Sequence, residues 1–369
     1  MTILAFILVI GPLVFVHEMG HYLVGRWFGV QADAFSIGFG PELAHWTDRR
    51  GTRWRVGAFL LGGYVKFAGD MNPASAADPR WMEMPAAQRE RTFQAKPLWQ
   101  RALIVLAGPL INLLFAAAIL AGFAVAYGEN ITPARISAVL PDSAAAAAGI
   151  KPGDTIVAVD GAPIERFEQL SRAVVPYPGQ AVTLDVRRNG SVEQVPLMVG
   201  VRVEKDRFGT EYRIGQIGVR SGEPIARDVS LLEAPVIALR QTGTLVGMMA
   251  DGLVQIITGR RPVSELGGPL KMAQLSGEQA ARGPADLAFF IALISINLGF
   301  INLLPIPMLD GGHLLFYGIE AIQRKPVSAR IQEFALRSGL ALLLGLMALV
   351  TINDLSSFGL WRGLSRLIG

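Results

Sequence analysis

The 369-residue sequence contains no cysteine and few charged residues. Without cysteine no disulfide bond can form, and any zinc site must use His, Asp or Glu as ligands. Charged residues make up 17% and hydrophobic residues 51% of the chain, whereas about a quarter of the residues in an average soluble protein are charged. This composition predicts a membrane protein with a soluble part. The small net charge of +4 argues against a nucleic-acid partner.

Histidine is also scarce, with four residues in the chain, yet two of them stand in the motif His17-Glu18-Met19-Gly20-His21. On a helix this motif places two imidazoles on one face, beside a carboxylate. That arrangement is typical of zinc sites in which the glutamate deprotonates the metal-bound water. In a soluble helix the motif is frequently a chance match. Here it follows a long apolar run, where ionisable side chains are costly and usually functional.

Four segments are long and apolar enough to span a bilayer, which requires about 20 residues. The first carries no basic residue before its apolar run and no small-residue cleavage site, so we expect a retained helix rather than a signal peptide. The predicted transmembrane helices are helix 1 at 1–28, helix 2 at 98–128, a broken helix 3 at 285–322 and helix 4 at 333–356, followed by a tail at 357–369.

The segment 228–284 is less apolar than these four. Its stretch 234–257 contains Arg240, Gln241 and Asp251, so we expect an amphipathic helix at the membrane surface, with a connecting loop, more than a fifth span.

Basic residues set the predicted orientation. The loop at 29–97 is rich in Arg and Lys, as is the short connection between helices 3 and 4. By the positive-inside rule both are cytoplasmic, so the N-terminus and the region between helices 2 and 3 lie outside. His17 lies about 24 Å along the helix from Met1. A metal bound there would sit within the membrane, nearer the cytoplasmic face.

The cytoplasmic loop contains two apolar stretches punctuated by glycine, at 35–40 and 53–66, which predict strands. They are too apolar for a free linker. A sheet dipping back towards the active site is expected, because non-helical backbone is tolerated at membrane depth when it lines a cavity. Gly62 and Gly63 lie in the second stretch, either in a turn or bulge or at a substrate-binding edge.

The region 130–222 alternates between polar and apolar residues and predicts one soluble α+β domain. Its expected strands lie at 156–159, 182–186 and 214–219. An alanine run at 144–148 predicts a short helix that ends at Gly149.

A zinc enzyme needs a third protein ligand and an open position for water. The spacing favours Asp310, which follows Pro305 and Pro307 in the broken third helix. Those prolines can leave carbonyl groups free to hold an extended peptide. His313 competes as the ligand, and Asp310 could instead cap the following helix. Asn302 could bind the substrate backbone or satisfy the broken helix.

Asn112 stands beside Gly108 and Pro109 in the second predicted transmembrane helix. Packing between helices by small and polar residues is as good an interpretation of Asn112 as a role in substrate binding.

With these motifs the chain resembles the site-2 protease family of intramembrane zinc metalloproteases (peptidase family M50), and most closely its regulator-of-sigma-E protease type. The resemblance covers almost the whole chain and involves the HExxH motif, the glycine-rich stretches 35–41 and 61–66, the segment 101–112, the PDZ-like segment 148–154, and 302–311, which matches the family pattern NxxPxPxLDG.

The resemblance implies that His17, His21 and Asp310 bind Zn²⁺, that Glu18 is the general base, and that Asp310 is preferred over His313. It also implies that Asn302 helps to bind substrate, that the strands before Lys66 form a membrane-reentrant β-structure, and that the outer domain is a PDZ fold filtering substrates by size. The best-known enterobacterial member has two tandem PDZ domains, whereas this chain has room for one.

The expected fold is therefore a polytopic α-helical membrane protein of about four transmembrane helices, with a membrane-reentrant β-structure and one inserted periplasmic PDZ-like α+β domain. The expected function is zinc-dependent cleavage of the transmembrane segments of single-pass proteins in the bacterial inner membrane. The resemblance points to membrane-anchored anti-sigma factors and remnant signal peptides as substrates.

Two alternatives belong to other classes of protein. One is a non-catalytic PDZ membrane scaffold with a structural zinc site, which would have no need of the base Glu18. The other is a zinc transporter, which would distribute its ligands along several helices rather than at one depth.

Overall fold

The computed structural model describes residues 2–70, 84–205, 211–259 and 267–357. The tail at 358–369 and part of the predicted cytoplasmic loop lie outside these ranges. The helices are α1 Thr2–Trp27, α2 Ala86–Arg89, α3 Leu98–Tyr127, α4 Ala144–Ala147, α5 Phe167–Val174, α6 Ala234–Ile257, α7 Pro269–Arg282, α8 Pro284–Asn302, α9 Asp310–Gln323 and α10 Ala329–Ser357.

The strands fall into one pair before α3 and a larger set between α3 and α6. They are β1 Ala32–Thr47, β2 Arg53–Phe67, β3 Glu129–Ile131, β4 Ile136–Val139, β5 Thr155–Val159, β6 Ala162–Pro163, β7 Ala181–Arg188, β8 Ser191–Met198, β9 Gly200–Lys205, β10 Glu211–Gln216, β11 Val219–Ser221 and β12 Ile225–Arg227.

The chain forms two compact units. The first combines Met1–Gly122 with Pro235–Gly369, and the second is Phe123–Ala234. The second unit is thus an insertion between helical parts of the first, as the sequence predicted for the α+β region.

Four helices of the first unit are long and apolar enough to cross a membrane: α1, α3, α8 and the Arg330–Leu355 part of α10. Within the described ranges α6 is not among them, in agreement with its polar residues. The most apolar window of α3 is 44% buried, whereas that of α10 is 11% buried. Helix α3 is therefore a central helix, and α10 presents most of its apolar surface outward.

Small residues bring the helices close to α3. A Cβ on Gly20 of α1 would lie 2.5 Å from the carbonyl oxygen of Ala107, and one on Gly299 of α8 would lie 2.9 Å from that of Pro109. Glycine is required at both positions because backbone meets backbone there. These contacts hold α1 and α8 against the same segment of α3.

The region 228–284 contains a second helix that was not predicted. Helix α7 begins after Gly268 with a proline at its first position, a common way to start a helix. The carboxylate of Asp354 on α10 accepts hydrogen bonds from the Gly268 and Lys271 amides at 3.1 and 3.0 Å. The prediction of a plain connecting loop was wrong because this cap comes from a distant helix.

Strands β1 and β2 form an antiparallel two-stranded sheet with an irregular register. Both are longer than the predicted stretches. At the end near α1, the buried ring of Phe35 stacks on Trp54 at 4.4 Å and meets Tyr22 edge-on at 5.8 Å. The far half of β1 is exposed. Gly62 and Gly63 lie within β2, where the register shifts from the pair Ile37–Gly63 to the pair Phe39–Phe59. Of the predicted turn or bulge, the bulge is therefore the one that fits the structure.

The second unit is built around a four-stranded sheet in the order β6-β5-β7-β8, with three further two-stranded pairs. Helices α4 and α5 contribute to the same hydrophobic core. Its fully buried members include Ile136, Ala145, Ile156, Leu170 and Leu184.

Two local predictions for this unit can be compared with the structure. The alanine helix α4 is capped by Ser143, whose hydroxyl accepts from the Ala146 amide at 3.2 Å, and Gly149 follows with φ 74°. The single strand at 214–219 is wrong. The chain breaks it into β10 and β11, because Gly218 adopts φ 77° and leaves the extended conformation.

An ion pair between a buried carboxylate and a partly exposed guanidinium fixes the start of β5. Asp154 accepts hydrogen bonds from Nε and Nη2 of Arg188 at 2.9 and 2.6 Å and from the Lys151 amide at 2.8 Å. These charge-assisted contacts, with that from Arg188 foremost, hold the pKa of Asp154 below its usual value.

Candidate active site

Helix α1 supplies three of the candidate site residues. His17 and His21 lie one turn apart, with ring centroids 4.9 Å from each other and ring planes nearly perpendicular. Glu18 is adjacent and 8% exposed. The i and i+4 spacing alone places both imidazoles on one face. The packing of α1 against α3 and β2 then buries that face.

Asp310 reaches the same place from a distant part of the chain. Helix α8 ends at Asn302, the chain turns through 303–309, and α9 begins at Asp310. Within the turn Met308 has φ 85°, a strained conformation for a residue other than glycine. The N-cap of α9 is Leu309, so the interpretation of Asp310 as the cap of that helix was wrong.

The glycines after Asp310 allow the turn to fold back tightly. A Cβ on Gly311 would overlap the carbonyl oxygens of Leu303 and Leu304, and one on Gly312 would overlap that of Ile306. The Asp-Gly-Gly sequence is therefore required by backbone contact, and it sets where the Asp310 carboxylate points.

The three side chains converge on one point. Oδ2 of Asp310 lies 3.2 Å from Nε2 of His17 and 3.5 Å from Nε2 of His21, and the two nitrogens are 3.3 Å apart. One ligand atom from each residue fits within 4.8 Å of the others. This is the one such group of three found in the described part of the chain.

The cluster fits a zinc ion. Two imidazole nitrogens and one carboxylate are a known catalytic ligand set, with a fourth position left for water. Oδ2 of Asp310 is buried, and among the described residues it has no hydrogen-bond partner. A cation held between the three groups would satisfy that oxygen.

Helix α3 contacts the far side of both rings. Nδ1 of His21 donates to the carbonyl oxygen of Ile104 at 2.9 Å, and the side-chain amide of Asn112 lies 3.1 Å from Nδ1 of His17. Gly108 stands between these two positions, and a Cβ there would overlap the His21 ring.

Glu18 faces the sheet. A Cβ on Gly63 of β2 would lie 3.0 Å from Cγ of Glu18 and 2.6 Å from the carbonyl oxygen of Ser36. Gly63 thus lets the strand approach the glutamate closely, whereas a Cβ on Gly62 would meet the ring of Phe39 instead.

The four groups open into a cavity of about 220 Å³. Its walls come from α1, β2, α3 and α9, together with Asn302 and the 303–309 turn. The lining residues are His17, Glu18, His21, Gly63, Tyr64, Val65, Phe67, Phe93, Ile104, Val105, Asn302, Met308, Asp310, His313 and Tyr317.

Not every predicted site residue lines this cavity. Asn302 and Gly63 do, whereas Gly62, Pro305, Pro307 and Asn112 are not among its lining residues. Asn112 is fully buried, behind His17.

The remaining two histidines differ from each other. His313 lines the cavity one turn beyond Asp310, outside the three-residue cluster. The side chain of His45 is 57% exposed beside Glu42, as expected for a residue among loop charges.

Several cavity residues were missed by the sequence interpretation, among them Tyr317 and Phe93. Tyr317 stands seven residues after Asp310, which is two helical turns on the same face, so periodicity could have identified it. It also lies 5.1 Å below the guanidinium of Arg101, which pairs with Glu320 at 2.9 Å and ties α9 to α3. No sequence signal marked Phe93.

Comparison with known proteins gives consistent sequence matches. The profile of peptidase family M50 matches residues 5–346. A protein of Agrobacterium fabrum whose name includes the words zinc metalloprotease is 45% identical over 361 residues, covering 96% of both chains. Another such protein, from Mesorhizobium japonicum, is 42% identical and covers 96% of this chain and 98% of its own. Metalloprotease MmpA of Caulobacter vibrioides is 34% identical over 385 residues, covering 98% and 96%.

Two solved structures of PDZ domains, from SdrC-like proteins of Listeria monocytogenes and Listeria innocua, match a quarter of the chain. They are 19% and 17% identical, cover 25% and 26% of this chain and 88% and 99% of their own, and have TM-scores of 0.20.

Proposed function

Because the chain belongs to peptidase family M50, we propose that it cleaves peptide bonds within the transmembrane segments of single-pass membrane proteins. It is a zinc metalloprotease and a multi-pass membrane protein. The observation that carries the proposal is the position of the ligand cluster. His17, His21 and Glu18 lie inside a helix long and apolar enough to cross a bilayer, where a soluble substrate would have no access.

The residues divide into ligands and base. His17, His21 and Asp310 would hold the zinc ion, which would supply Lewis acidity to the substrate carbonyl and to the attacking water. Glu18 lines the same cavity. Its carboxylate accepts a proton from the attacking water and returns it to the leaving amine nitrogen.

The substrate is held in extended form. A helical amide is already hydrogen bonded, so the substrate helix must unwind before its carbonyl can be attacked. Strand β2 lines the cavity beside Glu18 at Gly63 and Tyr64, so an added strand at its edge would lie next to the base. The amide of Asn302, which lines the same cavity, binds the substrate backbone, and Pro305 and Pro307 shape the turn that follows it.

The orientation follows from the basic residues. With the loop at 29–97 in the cytoplasm of a bacterium, the Phe123–Ala234 unit lies in the periplasm as a PDZ-like domain. It filters substrates by size, and the inner-membrane substrates are anti-sigma factors already trimmed outside the membrane, or remnant signal peptides.

The decisive experiment compares wild type with Glu18→Gln in the purified full-length chain. Bound zinc is quantified, and cleavage of a single-pass membrane substrate with its outer domain removed is measured. Loss of the base should lower the cleavage rate by about 10²–10⁴-fold without loss of zinc. The matched control is Glu333→Gln, an exposed residue on α10 paired with Arg337, which should cleave like wild type.

Either of two results would contradict the proposal. Cleavage by Glu18→Gln at the wild-type rate would remove Glu18 as the base. A zinc-loaded wild type that cleaves no trimmed substrate would favour a non-catalytic scaffold with a structural zinc ion.

A further inference from the structure

Three residues of α3 lie alongside the two histidines of α1. Ile104, Gly108 and Asn112 are spaced at four-residue intervals and therefore lie on one face of α3. The same interval separates His17 from His21. This face of α3 therefore contacts both imidazole rings. Ile104 and Asn112 each lie beside one Nδ1 atom, and Gly108 lies against the ring of His21.

The ring of His21 is fixed by backbone. The Ile104 carbonyl oxygen can only accept, so Nδ1 of His21 carries the proton and Nε2 presents its lone pair to the cluster. This is the arrangement that metal-binding histidines commonly use, in which an outer partner fixes the tautomer.

The ring of His17 has a side-chain partner in the equivalent place. Asn112 is fully buried, and its amide nitrogen faces Nδ1 of His17 at 3.1 Å. Its Oδ1 is buried with no hydrogen-bond partner in the ranges that the structure describes. A half-turn of the amide exchanges the two atoms with little change in shape.

Only one of the two orientations of the Asn112 amide leaves Nε2 of His17 able to bind a metal ion. If the amide nitrogen donates, Nδ1 of His17 is unprotonated and Nε2 of the neutral ring carries the proton, which prevents it from binding a cation. If the amide oxygen accepts from Nδ1–H, the lone pair of Nε2 is free to face Asp310 and His21, both within 3.3 Å.

We propose that Asn112 is a positioning residue for the metal site: its side-chain oxygen accepts a hydrogen bond from Nδ1–H of His17 and sets the tautomer and orientation of that ring. This inference rests on the proposed zinc chemistry, and it assigns Asn112 to the metal rather than to the substrate or to helix packing alone. Loss of such an outer partner typically weakens metal binding about 10–100-fold.

The test measures zinc affinity by chelator competition in the full-length protein, without substrate. Asn112→Leu and Asn112→Ala should bind zinc about 10–100-fold more weakly than wild type. Asn112→Asp keeps an oxygen acceptor and should stay within about threefold of wild type, since carboxylates serve this role in many zinc sites. The Co²⁺-substituted protein should show an altered d–d spectrum in Asn112→Leu and Asn112→Ala.

The control removes a different contact of Asn112, one between α3 and α8, without touching the ring of His17. Ser295 on α8 donates to the main-chain oxygen of Asn112 at 2.8 Å. Ser295→Ala should bind zinc like wild type. If Ser295→Ala weakens binding as much as Asn112→Leu does, helix packing explains the effect and the proposal fails.

Two further outcomes would also overturn it. Wild-type zinc affinity in Asn112→Leu would show that the ring needs no partner. Equal weakening in Asn112→Asp and Asn112→Leu, with both proteins folded by gel filtration, would show that the amide donates rather than accepts. A wild type that binds zinc normally but cleaves nothing would refute the proposed function alone, because none of these measurements uses cleavage.

Discussion

Gly108 of α3 lies directly against the imidazole of His21, so closely that a single Cβ would overlap Nε2 of the ring. A substitution as small as alanine would therefore move the ring of a proposed zinc ligand. We expect Gly108→Ala to lower zinc affinity about 10–100-fold and cleavage with it. The control is Gly122→Ala on the same helix, where a Cβ would meet nothing within 4 Å; it should retain both. Unchanged zinc content in Gly108→Ala would mean that the helices separate without cost.

Asp310 and His313 are the two candidates for the third ligand, and zinc analysis separates them. Only Asp310 has an atom in the three-residue cluster, so Asp310→Ala should purify without zinc. His313→Ala should retain it, because its ring lines the cavity outside the cluster. The reverse result would assign the third ligand to His313.

Alanine substitutions at Gly63 and Gly62 test whether cleavage depends on the close approach of strand β2 to Glu18. Alanine at 63 would push against Ser36, Val14 and Glu18, whereas the atoms nearest to an alanine at 62 belong to the ring of Phe39, which is 45% exposed. We expect Gly63→Ala to lower kcat/KM about 10²-fold, the effect of misplacing a catalytic group by about 1 Å, with zinc content unchanged. Gly62→Ala should lose far less. Equal loss in both variants would argue against a specific role for the contact with Glu18.

The Asp154–Arg188 pair predicts a pH dependence of stability in the Phe123–Ala234 unit. The pKa of Asp154 is lowered by folding, so the unfolded chain binds the proton more readily. The stabilisation is present above the unfolded pKa of about 3.9 and is lost as the pH falls through the lower folded value.

Asp154→Asn should cost about 1.5–3 kcal/mol near neutral pH, the range for hydrogen bonds to charged groups. At about pH 3, below the unfolded pKa, the difference from wild type should shrink, because the unfolded wild-type chain then binds a proton at Asp154 and is stabilised relative to the folded chain. Pulse proteolysis in urea, carried out on the intact chain, measures the free energy of unfolding of this unit in wild type and in Asp154→Asn at each pH. A difference that is independent of pH would contradict the assignment.

The sequence was sufficient to predict the apolar helices and the convergence of HExxH with an acid after the two prolines. Both depend on local signals, namely hydropathy over about 20 residues and helix-breaking residues beside a lone carboxylate. Helix α7 was missed because its N-terminus is capped by Asp354, a contact between residues far apart in the chain. The strand at 214–219 failed because Gly218 takes a left-handed conformation that the apolar pattern around it conceals.

Asn112 illustrates a different limit. From sequence it was a polar residue on a transmembrane helix, compatible with packing or with substrate binding. Its contact with His17 depends on how α1 and α3 cross, which is set by glycines such as Gly20 packing against backbone. The interval of four residues shared by both helices is visible in the sequence, but the register between them is not.

The path of the chain between His21 and Asp310 also imposes an order in time. At about 5–20 residues per second, a ribosome needs roughly 15–60 s to go from one to the other. Throughout that interval α1 carries two imidazoles and Glu18 but lacks the carboxylate that completes the cluster. If the three residues bind zinc as proposed, a nascent chain that has not yet reached Asp310 lacks one of the zinc ligands. On this proposal the active site is completed only once α9, which begins at Asp310, has been synthesised and packed.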